Sequence, residues 1–241
     1  MKTFNPRMDV LPAAQQALWQ SFAPAATLGY TLYGGTAIAL QLGHRDSVDF
    51  DFFTDKQLNR EQLYETFTFL PKALVRQDRP NTLEVEVAVP GQPDAVKVSF
   101  FGGIDVGRVG EPLVTQDGML QVASLEDLMA MKLKVLMQRV EAKDYRDIAA
   151  LVNAGIDLPR GLASARAMWP AQFQPSECLK ALVYFKDGDL DTLTEREKQT
   201  LVDAASAVRA LPQVELVGEA LAVPQPTPEL RPAPAPKRPR P

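Results

Sequence analysis

Tyr33-Gly34-Gly35-Thr36-Ala37, followed after a short apolar helix by His44-Arg45-Asp46-Ser47-Val48-Asp49-Phe50-Asp51-Phe52-Phe53, is the stretch that decides how this chain is read. In a strand, side chains i and i+2 share a face, so Asp49 and Asp51 point together while Phe50 and Phe52 point into a core. Two carboxylates on one face suit a hard divalent cation, Mg²⁺ or Mn²⁺. Mg²⁺ takes oxygen ligands and completes its octahedron with water and substrate phosphates. Gly34 and Gly35 lack Cβ atoms, so a phosphate can approach the backbone closely. Thr36-Ala37-Ile38-Ala39-Leu40 then begins a helix whose free N–H groups favour an anion. The combination reads as a metal–nucleotide site.

Around this centre the pattern is α+β. Residues 12–22 read as an amphipathic helix with Leu18, Trp19 and Phe22 on its apolar side, and residues 30–33 as a short strand. A helix over 36–42 and a strand over 48–53 follow. Asn59 is placed to cap the next helix, whose apolar face is Leu63, Phe67 and Leu70. Residues 73–78, 82–89 and 95–101 alternate as strands, with Pro90-Gly91-Gln92-Pro93-Asp94 as a hairpin loop between the last two. The expectation is a small, mixed, mostly antiparallel sheet with flanking helices, in which the 95–101 strand lies beside the Asp49/Asp51 strand.

From Ser124 onward the pattern turns helical. Ser124-Leu125-Glu126-Asp127 resembles a capping box, and Leu128, Met131, Leu133, Val135 and Leu136 supply an apolar side. Further helices are expected over 143–153, 176–186 and 195–210, with Gly155 as a stop signal. Eight prolines crowd the segment from Pro224 to Pro241, which excludes a helix or central strand there. The organisation predicted is a core over 1–120, a helical region over 121–221 packed on it, and a solvated Pro-rich tail over 222–241.

Composition narrows the chemistry. One cysteine, Cys178, excludes an internal disulfide or a cysteine-rich zinc site, and one histidine, His44, leaves no His-based metal cluster. Carboxylate chemistry remains. The longest apolar runs fall far below the roughly 18 residues that suggest a membrane span. The first residues carry no signal-peptide pattern, so a cytoplasmic location is expected. The net charge of −4 is uneven: residues 222–241 hold four cationic side chains against Glu229, a net +3, which leaves −7 for the rest. An acidic body does not advertise a broad nucleic-acid surface, although a local basic groove is compatible with it.

A second constellation lies in the helical half. Lys132 and Arg139 are seven residues apart, two turns on one helix face, and Asp144 and Asp147 share a face three residues apart. Spacing alone reads equally as a salt-bridged surface.

Three segments in order resemble one known family: GGTAIALQLGHRDSVDFDFF (Gly34–Phe53), MKLKVLMQR (Met131–Arg139) and KDYRDIAAL (Lys143–Leu151). They are similar to the successive motifs of the AbiEii/AbiGii-type nucleotidyltransferase toxins, within the polymerase-β-like nucleotidyltransferase superfamily. The likeness spans roughly residues 28–155. It implies a nucleotidyltransferase fold and a site in which Gly34, Gly35 and Thr36 form the nucleotide-phosphate loop and Asp49 and Asp51 bind metal. Lys132 would contact triphosphate, and Asp147 would be the acidic residue of the last motif. Arg45 and Ser47, with His44, would contact phosphate or shape the loop, and Arg139 and Asp144 are further candidates. The implied reaction moves a nucleoside monophosphate from an NTP to an acceptor hydroxyl. The implied acceptor is RNA, such as a tRNA 3′ end, and the implied setting is a toxin with a cognate antitoxin.

One departure stands out. Many polymerase-β-like enzymes carry a third metal-binding carboxylate on a later strand, where this chain has Ser99 within Val96-Lys97-Val98-Ser99-Phe100-Phe101. A catalytically degenerate nucleotide-binding or regulatory module is therefore the alternative. Two other D-x-D chemistries fit less well. A haloacid-dehalogenase-like phosphatase would want Thr or Val where Phe53 stands, and a metal-dependent glycosyltransferase leaves the Gly-Gly-Thr helix start unexplained.

Overall fold

A computed structural model describes residues 1–224. The elements run β1 (Thr3–Phe4), α1 (Ala13–Leu18), β2 (Thr31–Tyr33), α2 (Gly34–Leu42), β3 (Asp49–Phe53) and α3 (Arg60–Thr66). Then come β4 (Leu74–Arg79), β5 (Thr82–Val87), β6 (Val96–Phe101), β7 (Leu113–Thr115) and β8 (Gln121–Val122). The helical half holds α4 (Leu125–Leu136), α5 (Ala142–Asn153), α6 (Leu158–Met168), α7 (Pro175–Leu182) and α8 (Glu195–Ala207).

The strands form one eight-stranded mixed sheet in the order β1-β7-β8-β2-β3-β6-β5-β4. Four neighbouring pairs are antiparallel and three, including β3–β6, are parallel. The sheet is larger than the sequence suggests, because β1, β7 and β8 are two or three residues long and too short to show an alternation. At its centre the expected register holds: β6 runs beside β3, with Asp49 opposite Lys97 and Asp51 opposite Ser99.

Aromatic packing fixes that centre. Phe50 and Phe52 are fully buried; Phe50 meets Phe22 at 4.5 Å between ring centroids, and Phe52 meets Phe100 at 5.5 Å. Each buried Phe contributes about 1.5–3 kcal/mol, so β3 is held from below while its other face stays open. Residues 12–22 divide into α1 and a 3-10 turn over Trp19–Phe22, the tightening common at helix ends. That turn buries Trp19 and Phe22, and the Trp19 indole N–H donates to Asp117 at 2.6 Å.

The helices carry their expected caps. Asn59 accepts from the Gln62 N–H at the start of α3, and Ser124 accepts from the Asp127 N–H at the start of α4. Asp127 closes the second cap differently from a standard box, accepting from Ser124 Oγ and from the backbone N–H of Val109. Burial outweighs these bonds and pushes its carboxyl up to about 6.

The sequence pattern marks no element between the Gly155 stop signal and residue 176, yet the chain forms α6 there. Pro159 falls in the first turn, where no N–H bond is needed, behind the Asp157 cap. A Cβ at Gly161 would strike the Met129 side chain, so the glycine sets the close approach of α6 to α4. Helices α7 and α8 stop at Leu182 and Ala207, short of the expected 186 and 210.

The last described residues return to the sheet side. Arg108 and the 217–220 segment exchange backbone hydrogen bonds, and Arg108 Nη1 donates to the Ala220 carbonyl at 2.6 Å. The Gln121 side-chain amide donates to the Val223 carbonyl and accepts from the Val223 N–H. The expected tail, 222–241, lies outside the described residues from 225 onward. Cys178 is buried, and burial pushes its thiol up to about 12, in keeping with a small core residue. Among the described residues no helix is long and apolar enough to cross a membrane.

Candidate active site

A cleft of about 400 Å³ lies between the open face of β3–β6–β5 and helix α4. Its first wall is the β2–α2 turn. Tyr33 pairs with Asp51 across antiparallel β2–β3, so the chain turns into α2 directly beside that carboxylate. Gly34 takes φ +74°, and a Cβ there would collide with Asp51 Oδ2. Only glycine meets both demands. A Cβ at Gly35 would collide with the Arg45 guanidinium. Tyr33, the residue before α2, makes no side-chain cap to the first-turn N–H groups at the cleft.

Thr36 and Ser47 also line the cleft, but their hydroxyls are turned inward. Thr36 Oγ1 is within reach of Ser47 Oγ at 2.8 Å and of the Asp49 carbonyl oxygen. Both residues are buried, and the contact ties the 44–48 loop to the start of α2. Locally, then, they shape the loop that delivers Asp49.

Asp49 and Asp51 face the cleft, and among the described residues neither carboxylate makes an ion pair or accepts a side-chain hydrogen bond of good geometry. Burial, with the like charge of Asp49, raises the Asp51 carboxyl above its usual value, against the pull of Lys97 and Lys132. Ser99 stands beside Asp51 in the register, near enough to favour its charged form, yet its fully buried hydroxyl completes no hydrogen bond. Two carboxylates lacking a protein counter-ion on one strand face fit a hard divalent cation. Among the described residues no third metal-ligating side chain is grouped with them.

Beneath the cleft the second constellation is a closed ionic lattice. Lys132 Nζ lies 2.7 Å from Asp144 Oδ1 and 2.7 Å from Asp147 Oδ2. Arg45 meets Asp147 through Nε at 2.7 Å and Nη2 at 3.0 Å, and His44 Nε2 is 2.7 Å from the same carboxylate. Arg139 reaches Asp144 at 2.9 and 3.2 Å. Both aspartates are fully buried. Burial opposes their charge, but the His44 bond and the Lys132 and Arg45 charges hold Asp147 well below the usual carboxylate range. Asp144 is lowered in the same way, through Arg139 and Lys132.

The cleft therefore brings together Gly34, Gly35, Thr36, Arg45, Ser47, Asp49, Asp51, Lys132 and Arg139, as read from the sequence. Asp147 does not line it; it lies behind, aiming Lys132 and Arg45. Two of the three Lys132 N–H groups are spent on the aspartates, which leaves one for the cleft. Sequence reasoning missed Glu84 and Lys97, whose ends meet at 3.5 Å, and the apolar wall of Met131, Val135, Phe53 and Phe101. Lys97 was accessible from the strand alternation beside Asp49. Glu84 needed the β5–β6 register, which no local pattern supplies.

Residues 16–219 match the model of the family described as nucleotidyl transferase AbiEii toxin, type IV TA system. An uncharacterized protein of Aquifex aeolicus (strain VF5) is 29% identical over 161 residues, covering 66% of this chain and 74% of that protein. A crystal structure from H. pylori described as a nucleotidyltransferase superposes with TM-score 0.52 at 21% identity, over 80% of this chain and 92% of that one. MenT4, a nucleotidyltransferase toxin from Mycobacterium tuberculosis H37Rv, superposes with TM-score 0.55 at 14% identity, over 81% and 83%. These two likenesses concern the fold. The family match spans most of the chain and runs through every residue of the cleft and the lattice beneath it: this protein belongs to the AbiEii family of nucleotidyltransferase toxins.

Proposed function

We propose that the protein transfers a nucleoside monophosphate from an NTP to a hydroxyl of RNA, with the 3′ end of a tRNA as the favoured acceptor. In this reading it is the cytoplasmic toxin of a pair with a cognate antitoxin. The carrying observation is the pair Asp49/Asp51, without a direct ion-pair partner among the described residues, facing the Gly34–Gly35 turn. A site that presents two bare carboxylates beside open helix N–H groups is built for a cation and a polyphosphate together.

Asp49 and Asp51 would hold Mg²⁺ or Mn²⁺, which when bound supplies positive charge to the phosphate oxygens. The α2 N–H groups at Gly34 and Gly35 would receive the terminal phosphates. Lys132, Arg45 and Arg139 would offset the negative charge that grows on the leaving pyrophosphate. Asp147 would act as a positioning residue that keeps Lys132 and Arg45 in place, and Thr36 and Ser47 would fix the loop.

Incubating the protein with Mg²⁺, each α-labelled NTP in turn and total cellular RNA tests this, with the Asp49→Ala/Asp51→Ala variant as control. Label in a discrete RNA band, absent with the variant, supports transfer and names base and acceptor. Ser99 favours a second reading, the degenerate binding module. Nucleotide binding without label in RNA or protein would support that instead.

A further inference from the structure

The cleft has two ends. Arg45 and the glycine turn stand at one, where the reading above seats the terminal phosphates. Across the sheet stand Lys97 and Phe101 on β6, next to β3, and Glu84 on β5, one strand further. Parallel pairing sets Ser99 beside Asp51, and antiparallel pairing sets Glu84 opposite Ser99. Asp51, Ser99 and Glu84 thus form one row on the open face. Two strand spacings put the Asp51 and Glu84 backbones about 10 Å apart, with the short, fully buried Ser99 side chain between them.

Attack by a hydroxyl requires somewhere for its proton to go. Asp144 and Asp147 are saturated by cations and held in their charged forms, which makes them poor proton acceptors. Asp49 and Asp51 are the cation pair of the proposed reaction. Asp46 sits next to Arg45 on the loop that meets the glycine turn. Glu84 is the remaining carboxylate of the cleft, and its one ion-pair partner among the described residues is Lys97, at a loose 3.5 Å. The fully buried hydroxyl of Ser99, which among the described residues completes no hydrogen bond of good geometry, lies in the same row between Glu84 and Asp51.

We infer that Glu84 is the proton acceptor for the attacking hydroxyl, reaching over Ser99 from the neighbouring strand. The inference rests on the nucleotidyl-transfer reading. As the acceptor oxygen forms its bond to the α-phosphorus, its proton passes to the Glu84 carboxylate. The bond from that phosphorus to the bridging oxygen breaks, and pyrophosphate leaves with the electron pair. Lys97 supplies counter-charge to Glu84 while the cleft is empty. A carboxylate here takes over a task for which Ser99, on the inner strand, has no suitable group.

The test compares wild type, Glu84→Gln and Glu84→Asp in two measurements: single-turnover label transfer from α-labelled NTP to total cellular RNA, and equilibrium binding of an NTP analogue with a non-cleavable α,β bridge. Glu84→Gln should slow transfer about 10²- to 10⁴-fold, the usual worth of a positioned base, while analogue affinity stays within about twofold. Glu84→Asp, which keeps the carboxylate one methylene further back, should lie between. Transfer by Glu84→Gln at the wild-type rate, or a loss of analogue affinity matching the loss of rate, would overturn the role. If that happened while the Asp49→Ala/Asp51→Ala control stayed inactive, nucleotidyl transfer would stand without Glu84. Wild type that binds the analogue yet labels nothing would overturn both.

Discussion

Two pairs of aspartates in this molecule have opposite surroundings. Asp49 and Asp51 on β3 face an open cleft and, among the described residues, form no ion pair with a cationic side chain, and burial beside a like charge raises Asp51. Asp144 and Asp147 on α5 are fully buried, and Lys132, Arg45, His44 and Arg139 surround them. The first pair lacks its counter-ion and is suited to take one from solution. The second has taken its counter-ions from the protein. On the proposed reading the same side chain is a ligand in one place and a brace in the other, and the nearest cations decide which.

Breaking each pair should separate activity from stability. Asp51→Asn should lower label transfer by about 10³-fold or more, the several kcal/mol that charge stabilisation at a metal supplies. Its melting temperature should hold or rise, because the substitution removes a repulsive buried charge. A variant that transfers normally would end the assignment of Asp51.

Asp147→Ala should act in the reverse order. It takes from the half-buried Arg45 its carboxylate and leaves the buried Lys132 with Asp144 alone, at a cost of about 3 kcal/mol. Calorimetry should report a melting point lower by roughly 10 °C. An unchanged melting point would mean that the lattice is not structural.

Divalent cation sharpens the contrast. Mn²⁺ at about 100 times its dissociation constant should stabilise wild type by about 2.7 kcal/mol, and the Asp49→Ala/Asp51→Ala variant not at all. Equal stabilisation of both would place the ion elsewhere.

The smallest expected effect concerns acid. A lowered folded-state pKa gives stability that is fully present above the usual 3.8 and is lost as pH falls through the lower folded value. The stability difference between wild type and Asp147→Asn should therefore be flat from pH 7 to about pH 5 and shrink only below 3.8. Melts that show the difference collapsing near pH 6 would contradict the ionic lattice.

Much of this site was legible because it rests on local pattern. The alternation Asp49-Phe50-Asp51-Phe52 separates open face from core in a single strand, and Gly34-Gly35 followed by an apolar run marks a helix start beside it. Both are present in the fold, with the helix starting at Gly34 rather than 36 and the strand at Asp49 rather than 48. Lys132 and Asp147 were legible as candidates on their helices, but spacing could not tell a lattice from a solvated surface. That needed the turn from α4 into α5, which lays the two helices side by side and closes the Lys132 contacts. The strands β1, β7 and β8 escaped for want of length, and α6 escaped too, a helix whose Gly161 is explained only by its close approach to Met129 of α4.

The sequence by itself determined the chemistry on offer: paired carboxylates, a glycine turn, basic helices, and no cysteine or histidine set to compete with them. Periodicity is a short-range property, and these features lie within one element or across one turn. Only the tertiary structure decided which charges meet. Arg45 and Asp147 are 102 residues apart, and Glu84 joins Asp51 only through the register of two successive strand pairings. Such meetings depend on how distant segments pack, and no local pattern in the chain encodes them.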